Sequence, residues 1–158
     1  MRYVNTDAKR PKYRINLVNR ITSRLQFGAE WNPGVGEVNP VANWVITPES
    51  KTAPMVNIGT SSDRIFSPKG TQAVFVTAAK GFPEYKVAPY VSLSYSGWEK
   101  KFIFPVGMNF ALDPKWDILA MNDGRNSHVL LTYKLPRTSL SALLVKMRYP
   151  GVSLGFAF

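Results

Sequence analysis

The 158-residue sequence contains no cysteine and only one histidine. Without cysteine there is no disulfide bond, no thiolate metal site and no cysteine nucleophile. No apolar run approaches the roughly 18 to 20 residues that a membrane-spanning helix needs, which excludes a helical membrane protein. The first charges are not followed by an apolar segment of about 7 to 15 residues, so we expect no secretory signal peptide in the residues given.

The composition favours a single domain over residues 1–158 with little helix. Twelve prolines and eleven glycines argue against long helices, while 45% hydrophobic and 13% aromatic residues argue against intrinsic disorder. No motif for a cofactor is present, and we expect none to be bound. The chain is therefore expected to be an all-β domain.

Bulky apolar residues alternate with small or polar ones along much of the chain, for example in residues 20–31, 87–96 and 102–111. A period of two is typical of β-strands whose two faces meet different environments. Weaker patterns lie near 12–18, 41–47, 53–60, 71–79, 115–121, 127–134 and 138–147, and a last strand ends the chain. The sequence therefore predicts about eleven strands separated by turns.

The small residues on the second face distinguish a membrane barrel from a soluble sandwich. A soluble sheet normally presents Lys, Glu and Thr to water, whereas a transmembrane barrel directs bulky residues to lipid and small or polar ones to its lumen. We therefore predict an antiparallel up-and-down transmembrane β-barrel of about 10–12 strands. The expected lipid-facing residues include Phe102, Phe104, Val106, Met108 and Phe110. Expected interfacial aromatics are Tyr13, Trp31, Tyr95, Trp98, Trp116, Tyr133 and Tyr149.

The last residues, "YPGVSLGFAF", carry apolar side chains at every second position and end on an aromatic residue. With Tyr149, Val152, Leu154, Phe156 and Phe158, the segment resembles the C-terminal assembly signal of Gram-negative outer-membrane β-barrel proteins. Pro150 departs from that pattern. The resemblance implies a location in the bacterial outer membrane, among its lipid and lipopolysaccharide. It also implies recognition by the barrel assembly machinery and pairing of the last strand with the first.

Eleven strands is an odd number, whereas bacterial single-chain barrels have even counts. Either residues 2–6 form a twelfth strand, or the chain lacks its natural beginning and is the C-terminal part of a larger barrel; we expect the second. With Phe158 at the periplasmic end, the outer loops fall at 32–40, 61–70, 96–101, 122–127 and 148–151. These segments are longer on average than the turns between them, as an outer-membrane barrel requires.

The formal net charge is +10, and three arginines fall on the predicted lumen face, namely Arg14, Arg20 and Arg24. Guanidinium groups lining a pore attract anions and repel cations. Alternatively, they pair with Glu30 and other lumen acids and fill a closed barrel. The first functional hypothesis is thus a structural protein or a passive channel with an anion preference, for which we expect no nucleic-acid partner.

Two other functional classes are compatible with the sequence. A soluble basic β-sandwich or barrel could bind a polyanion through Lys9, Arg10, Lys12, Arg14, Arg20 and Arg24. An outer-membrane hydrolase would need His128 as its base, but no G-x-S-x-G motif occurs and the adjacent Ser127 points to the opposite face. Asp63, Glu99 and Asp123 could offer oxygen ligands to calcium, but solvated surface acids are the simpler interpretation. We expect neither catalysis nor a metal site.

Overall fold

The computed structural model describes residues 1–157, so Phe158 lies outside the described residues. The chain forms one four-residue helical turn, α1 (Lys9–Lys12), and two 3₁₀ turns, Pro33–Val35 and Pro83–Tyr85. Among the described residues no helix is both long and apolar enough to cross a membrane. The strands are β1 (Arg2–Val4), β2 (Tyr13–Arg20), β3 (Leu25–Asn32), β4 (Glu37–Thr47), β5 (Met55–Ser62), β6 (Gln72–Ala79), β7 (Val87–Ser96), β8 (Lys101–Ile103), β9 (Val106–Ala111), β10 (Trp116–Asn122), β11 (Ser127–Lys134), β12 (Thr138–Val145) and β13 (Tyr149–Phe156).

These strands close into one antiparallel barrel. Each strand pairs with its neighbours in sequence, and β13 pairs with β1, with Val152 opposite Tyr3. β8 and β9 both pair with β7 and are two parts of one strand, which is interrupted at Phe104 and Pro105. The result is a closed twelve-stranded up-and-down barrel, which confirms the predicted fold class.

The strand count and one turn differ from the sequence prediction. The twelfth strand is β1, whose three residues are too few to show a period of two. The continuous strand predicted over 20–31 is wrong at its start, because the amides of Ile21 and Thr22 both donate to the carbonyl of Leu25 and close a turn there. The even number of strands is therefore reached within the sequence itself.

The barrel has a polar interior and an apolar exterior. Among residues 1–157 five hydrophobic side chains and Pro11 are buried, against sixteen polar or charged ones. The outward positions carry large apolar side chains, such as Leu17 at 70% exposed and Val38 at 66%. This distribution is the reverse of that in a water-soluble domain, where large apolar residues fill the core.

The connections lie at two ends of the barrel. One end, here called the mouth, holds segments 5–12, 33–36, 63–71, 97–100, 123–126 and 146–148. The opposite end, the base, holds segments 21–24, 48–54, 80–86, 112–115 and 135–137. All five segments expected to be outer loops lie at or next to the mouth. The expectation that they are longer was wrong, since the connections at the two ends are of similar length.

Candidate functional site

The longest connection, residues 63–71, crosses the mouth and is here called the mouth loop. It leaves β5 and returns to β6, yet its Ile65 and Phe66 pack against a buried cluster on the opposite wall, formed by Val4, Leu143 and Val145. The Phe66 ring also lies 5.2 Å from the ring of Tyr149, measured between centroids. The mouth loop therefore forms a roof over the lumen.

One end of the mouth loop is fastened by a buried aspartate. Asp63 accepts hydrogen bonds from the Ser96 hydroxyl at 2.6 Å and from the Trp98 amide at 3.1 Å. The next residue, Arg64, forms an ion pair with Glu99, and its guanidinium carbon lies 5.2 Å from the Trp98 ring centroid. These contacts join the start of the mouth loop to the neighbouring connection 97–100.

The other end of the mouth loop is fastened by Arg10 and Glu37. The Arg10 guanidinium donates to the Ser67 hydroxyl at 2.8 Å and to the Glu37 carboxylate at 2.7 Å. The second oxygen of Glu37 accepts from the Gly70 amide. Because charge-assisted hydrogen bonds are stronger than neutral ones, these contacts hold the loop in its crossing position.

A chain of buried polar groups continues from the mouth loop into the lumen. The Asn32 side-chain amide donates to Glu37 at 3.3 Å and to Glu30 at 2.8 Å. Glu30, which is 1% exposed, forms an ion pair with Arg14. Arg14 is thus connected through side chains to the residues that hold the mouth loop.

Beneath the mouth loop the lumen contains a cavity of about 350 Å³. Arg2 and Arg14 line one wall, and the hydroxyls of Ser92 and Ser94 lie on another. Apolar side chains between them include Ile65, Phe75, Ile103, Leu130 and Leu143, and the lining also contains Asp63, Arg64, Asp123 and His128. The cavity thus combines a cationic wall, apolar side chains and two carboxylates that are hydrogen-bonded to neighbouring groups.

Arg2 lines the cavity although the sequence pattern did not indicate it. It lies directly opposite Arg14 in the strand register, and within residues 1–157 its side chain has no hydrogen bond or ion pair, its Nε being buried without a partner. Glu30 is the acid beside these two arginines, and it is already paired with Arg14. The sequence carries no local signal for an inward Arg2, because the three residues of β1 are too few to show a period of two.

Two glycines make room for aromatic rings inside the lumen. A Cβ atom on Gly107 would lie 2.5–2.8 Å from two ring atoms and the hydroxyl oxygen of Tyr90, its cross-strand partner. A Cβ atom on Gly59 would lie 2.7 Å from the ring of Phe75, again its cross-strand partner. These two rings lie flat over their neighbouring strands, and so leave space in the centre of the barrel.

The three predicted lumen arginines occupy different positions. Arg14 lies inside the lumen and lines the cavity. Arg20 ends β2 on the same face, opposite Gln26, but is exposed at the base and does not line the cavity. The prediction for Arg24 was wrong, because this residue lies in the exposed turn before β3 rather than on a strand.

His128 is buried at the mouth end of the lumen with both ring nitrogens occupied. Its Nε2 lies 3.0 Å from Asp123 Oδ2, and its Nδ1 accepts from the Lys146 amide at 3.2 Å. An Nδ1 that accepts carries no proton, so the proton is assigned to Nε2 and points at Asp123. Neither nitrogen is left to activate a serine, as the hydrolase hypothesis requires.

The acids considered for calcium are joined through arginines, since Arg64 contacts Asp63 and Glu99, and Arg125 contacts Glu99 and donates its amide to Asp123. Burial by itself raises the pKa of Asp123, but hydrogen bonds from His128 and from the backbone amides of Asn126 and Arg125 outweigh it and lower this pKa below its usual value. Hydrogen bonds from Arg125 and Lys101, with a smaller one from Arg64, lower the pKa of Glu99 to about 2. Among residues 1–157 no group of three or more His, Cys, Asp or Glu side chains could hold a metal ion.

The predicted lipid-facing residues lie on the outer face of β8 and β9 and the break between them. Phe102, Phe104, Val106 and Phe110 are exposed, and Met108 is half-buried between neighbouring outward side chains. The outward face continues on β13 with Val152, Leu154 and Phe156, all exposed.

Tyr149 departs from the outward pattern of the last strand. It lies opposite Val145 on the lumen face and packs beneath the mouth loop, so its expected interfacial position was wrong. The remaining expected interfacial aromatics, Tyr13, Trp31, Tyr95, Trp98, Trp116 and Tyr133, lie near the two ends of the barrel. Phe158 falls outside the described residues.

Comparison of the chain with protein-family models, with curated proteins and with solved structures finds no match.

Proposed function

We propose that this protein is an outer-membrane β-barrel that crosses a lipid bilayer and acts as a passive channel with a preference for anions. The observation that carries the proposal is the reversed distribution of residues. Thirty-one large apolar side chains are exposed among residues 1–157, where water would meet an apolar surface far larger than soluble monomers tolerate. In a bilayer the same surface is solvated by acyl chains.

The ends of the barrel also fit a bilayer. Strands of eight residues span only about 20 Å at the usual tilt. Apolar residues in the connections must therefore extend the apolar outer surface for it to cross a bilayer. At the base the connections supply exposed Ile21, Phe82, Tyr85, Leu112 and Leu135. Outward aromatic pairs lie near both ends, with Tyr3 against Tyr13 and Trp116 against Tyr133 at centroid distances of 5.3 and 4.8 Å. Such residues suit the two membrane interfaces.

Closure of the sheet also makes the barrel compatible with a membrane. In hydrocarbon every backbone amide and carbonyl must be paired within the protein, and the pairing of β13 with β1 leaves no open edge. The C-terminal strand also supports recognition by the barrel assembly machinery, through its resemblance to the outer-membrane signal. With the C-terminal end of the chain at the periplasmic side, the base is periplasmic and the mouth faces lipopolysaccharide.

The lumen supports a gated passage rather than a wide pore. The mouth loop roofs the cavity and is fastened near both ends by side-chain hydrogen bonds rather than by strand pairing. Beneath the roof the cavity lining carries Arg2, Arg14 and Arg64 against Asp63 and Asp123, and both of these acids are hydrogen-bonded to neighbouring groups. At the wall formed by Arg2 and Arg14, two cations face one adjacent acid, Glu30, so the local field at that wall favours anions.

Folding in detergent followed by conductance measurement tests the proposal. The refolded chain is expected to give a β-rich circular dichroism spectrum and an unboiled gel band that migrates faster than the boiled one, only when detergent is present. In a planar bilayer it is expected to show brief openings with anion selectivity. A monomer that folds in plain buffer contradicts the membrane proposal, and salt-dependent polyanion binding would then be the function to pursue.

A further inference from the structure

We propose that the lumen cavity is a binding site for a small monocarboxylate with a compact apolar body, whose charged end pairs with Arg2. The inference rests on the proposed function in one respect, since it names the class of anion that the channel admits. It is carried by three features of the cavity: an unpaired cation, apolar walls and a limited volume.

The cation is Arg2. Its guanidinium has no partner within residues 1–157, although it lies inside the barrel beside the positively charged Arg14. A buried guanidinium without a counter-ion is unfavourable, and a second guanidinium next to it increases the cost. A carboxylate is planar and accepts two parallel hydrogen bonds from one guanidinium, so it meets this group better than a spherical halide does.

The walls define the rest of the ligand. Across the barrel from Arg2 the cavity presents Phe75 and Ile103, and Leu130 and Leu143 lie to one side, so these four side chains offer dispersion contacts. The two acids of the lining, Asp63 and Asp123, already have partners in Ser96 and His128. A hydrophilic anion such as inorganic phosphate would leave these walls in contact with water and gain only the ion pair. An acid with an apolar body gains the ion pair together with the burial of its own apolar surface.

The volume sets the size of the ligand. A cavity of about 350 Å³ is near the lower end of the range of small-molecule sites, which is roughly 300–1,000 Å³. A bicyclic aromatic acid or a medium-chain fatty acid matches it. The hydroxyl of Ser94, on the wall across from Arg2, is placed to form one hydrogen bond with a polar substituent.

Isothermal titration calorimetry of the refolded barrel with 2-naphthoate, in nonionic detergent, tests the site. Arg2→Gln removes the cation and keeps a polar, though shorter, side chain. Arg20→Gln is the matched control. Arg20 lies on the same face of β2 as Arg14 but does not line the cavity. Neutral 2-naphthamide tests the need for a carboxylate. A parallel titration with decanoate shows whether the cavity prefers an acyl chain or an aromatic body.

We expect one 2-naphthoate or decanoate bound per barrel, with affinity at least about tenfold lower in Arg2→Gln and unchanged in Arg20→Gln, since a charge-assisted hydrogen bond is lost only in the first. The amide is expected to bind at least about tenfold more weakly than the acid. If both variants bind like the original protein, or if neither acid binds a folded barrel, the site is refuted.

A second variant covers the case in which Arg2→Gln does not fold. Ser94→Phe fills the cavity from the wall of β7 and leaves both arginines in place. It is expected to abolish binding of the acid, and full binding by a folded Ser94→Phe barrel would overturn the proposal. Heat-dependent gel migration is measured first on every variant. Failure of the membrane proposal appears there as folding without detergent, whereas failure of the site appears only in the titration.

Discussion

The ring of Phe66 lies 5.2 Å from the ring of Tyr149, although the two residues belong to opposite sides of the barrel. Phe66 belongs to the mouth loop between β5 and β6, and Tyr149 begins β13. The contact spans the mouth and places the loop across the lumen. The backbone of Phe66 has a φ of +74°, a region that costs a non-glycine residue about 1–2 kcal/mol. Packing on the far wall must offset this cost.

Phe66→Ala is therefore expected to release the mouth loop. Removing the ring loses about 1–3 kcal/mol of apolar burial, and each 1.4 kcal/mol changes the ratio of open to closed loops about tenfold. We expect more frequent channel openings in a planar bilayer and faster proteolysis within 63–71. The matched control is Phe102→Ala, which removes an exposed ring from the outer face. Equal effects of the two variants would show that the Phe66 contact does not close the mouth.

Gly107→Ala is expected to destabilise the barrel. The added methyl group would meet the Tyr90 side chain at 2.5–2.8 Å, and overpacking of this kind costs about 1–3 kcal/mol. The free energy of unfolding in urea and detergent micelles measures the loss. In a Tyr90→Ala background the ring is absent, so the same glycine substitution should cost much less. A cost that is unchanged in that background would assign the effect to the backbone instead.

Arg14→Gln is expected to cost about 3 kcal/mol or more, because it leaves the Glu30 carboxylate buried and without its cation. The double variant Arg14→Gln with Glu30→Gln removes both charges and is expected to recover most of that loss. Unfolding in urea compares the single and double variants. If the double variant is as unstable as the single one, the ion pair is not the source of the effect.

The Glu99 cluster gives a pH dependence with a defined sign. Since the pKa of Glu99 is lowered to about 2, mainly by its hydrogen bond from Arg125, the charged cluster stabilises the mouth above the ordinary carboxyl pKa. That contribution is expected to be lost as the pH falls from about 4.5 to about 2. Carbon-13 labelling of the glutamate carboxyl groups follows the titration by NMR. In Arg125→Gln the midpoint should rise, and a midpoint that stays near 2 would exclude Arg125 as the main cause.

Much of the fold was accessible from the sequence because alternation along a strand is a local signal. The predicted strands near 53–60, 71–79 and 87–96 agree with β5, β6 and β7 to within a few residues. The three residues of β1 show no period, and their pairing with β13 joins opposite ends of the chain.

The candidate site was less accessible, because its contacts are between residues far apart in sequence. Nothing local to Phe66 indicates that it meets Tyr149, and nothing near Arg10 indicates that it holds Ser67. Arg14 lies in the lumen on a regular strand, where a period of two holds. Arg24 lies in a turn, although the alternating pattern continues through that turn with a break only at Ser23.

The most direct test of the central claim is the free energy of unfolding of Leu93→Arg in lipid vesicles. Leu93 lies midway along β7, is 43% exposed on the outer face, and pairs with the equally outward Val76. In a bilayer an arginine at mid-depth is expected to cost about 2–4 kcal/mol, while the control Leu135→Arg at the base should cost about 1 kcal/mol or less. If Leu93→Arg costs no more than about 0.5 kcal/mol, as an exposed substitution in water does, then the outer face does not lie in lipid and the membrane account is contradicted.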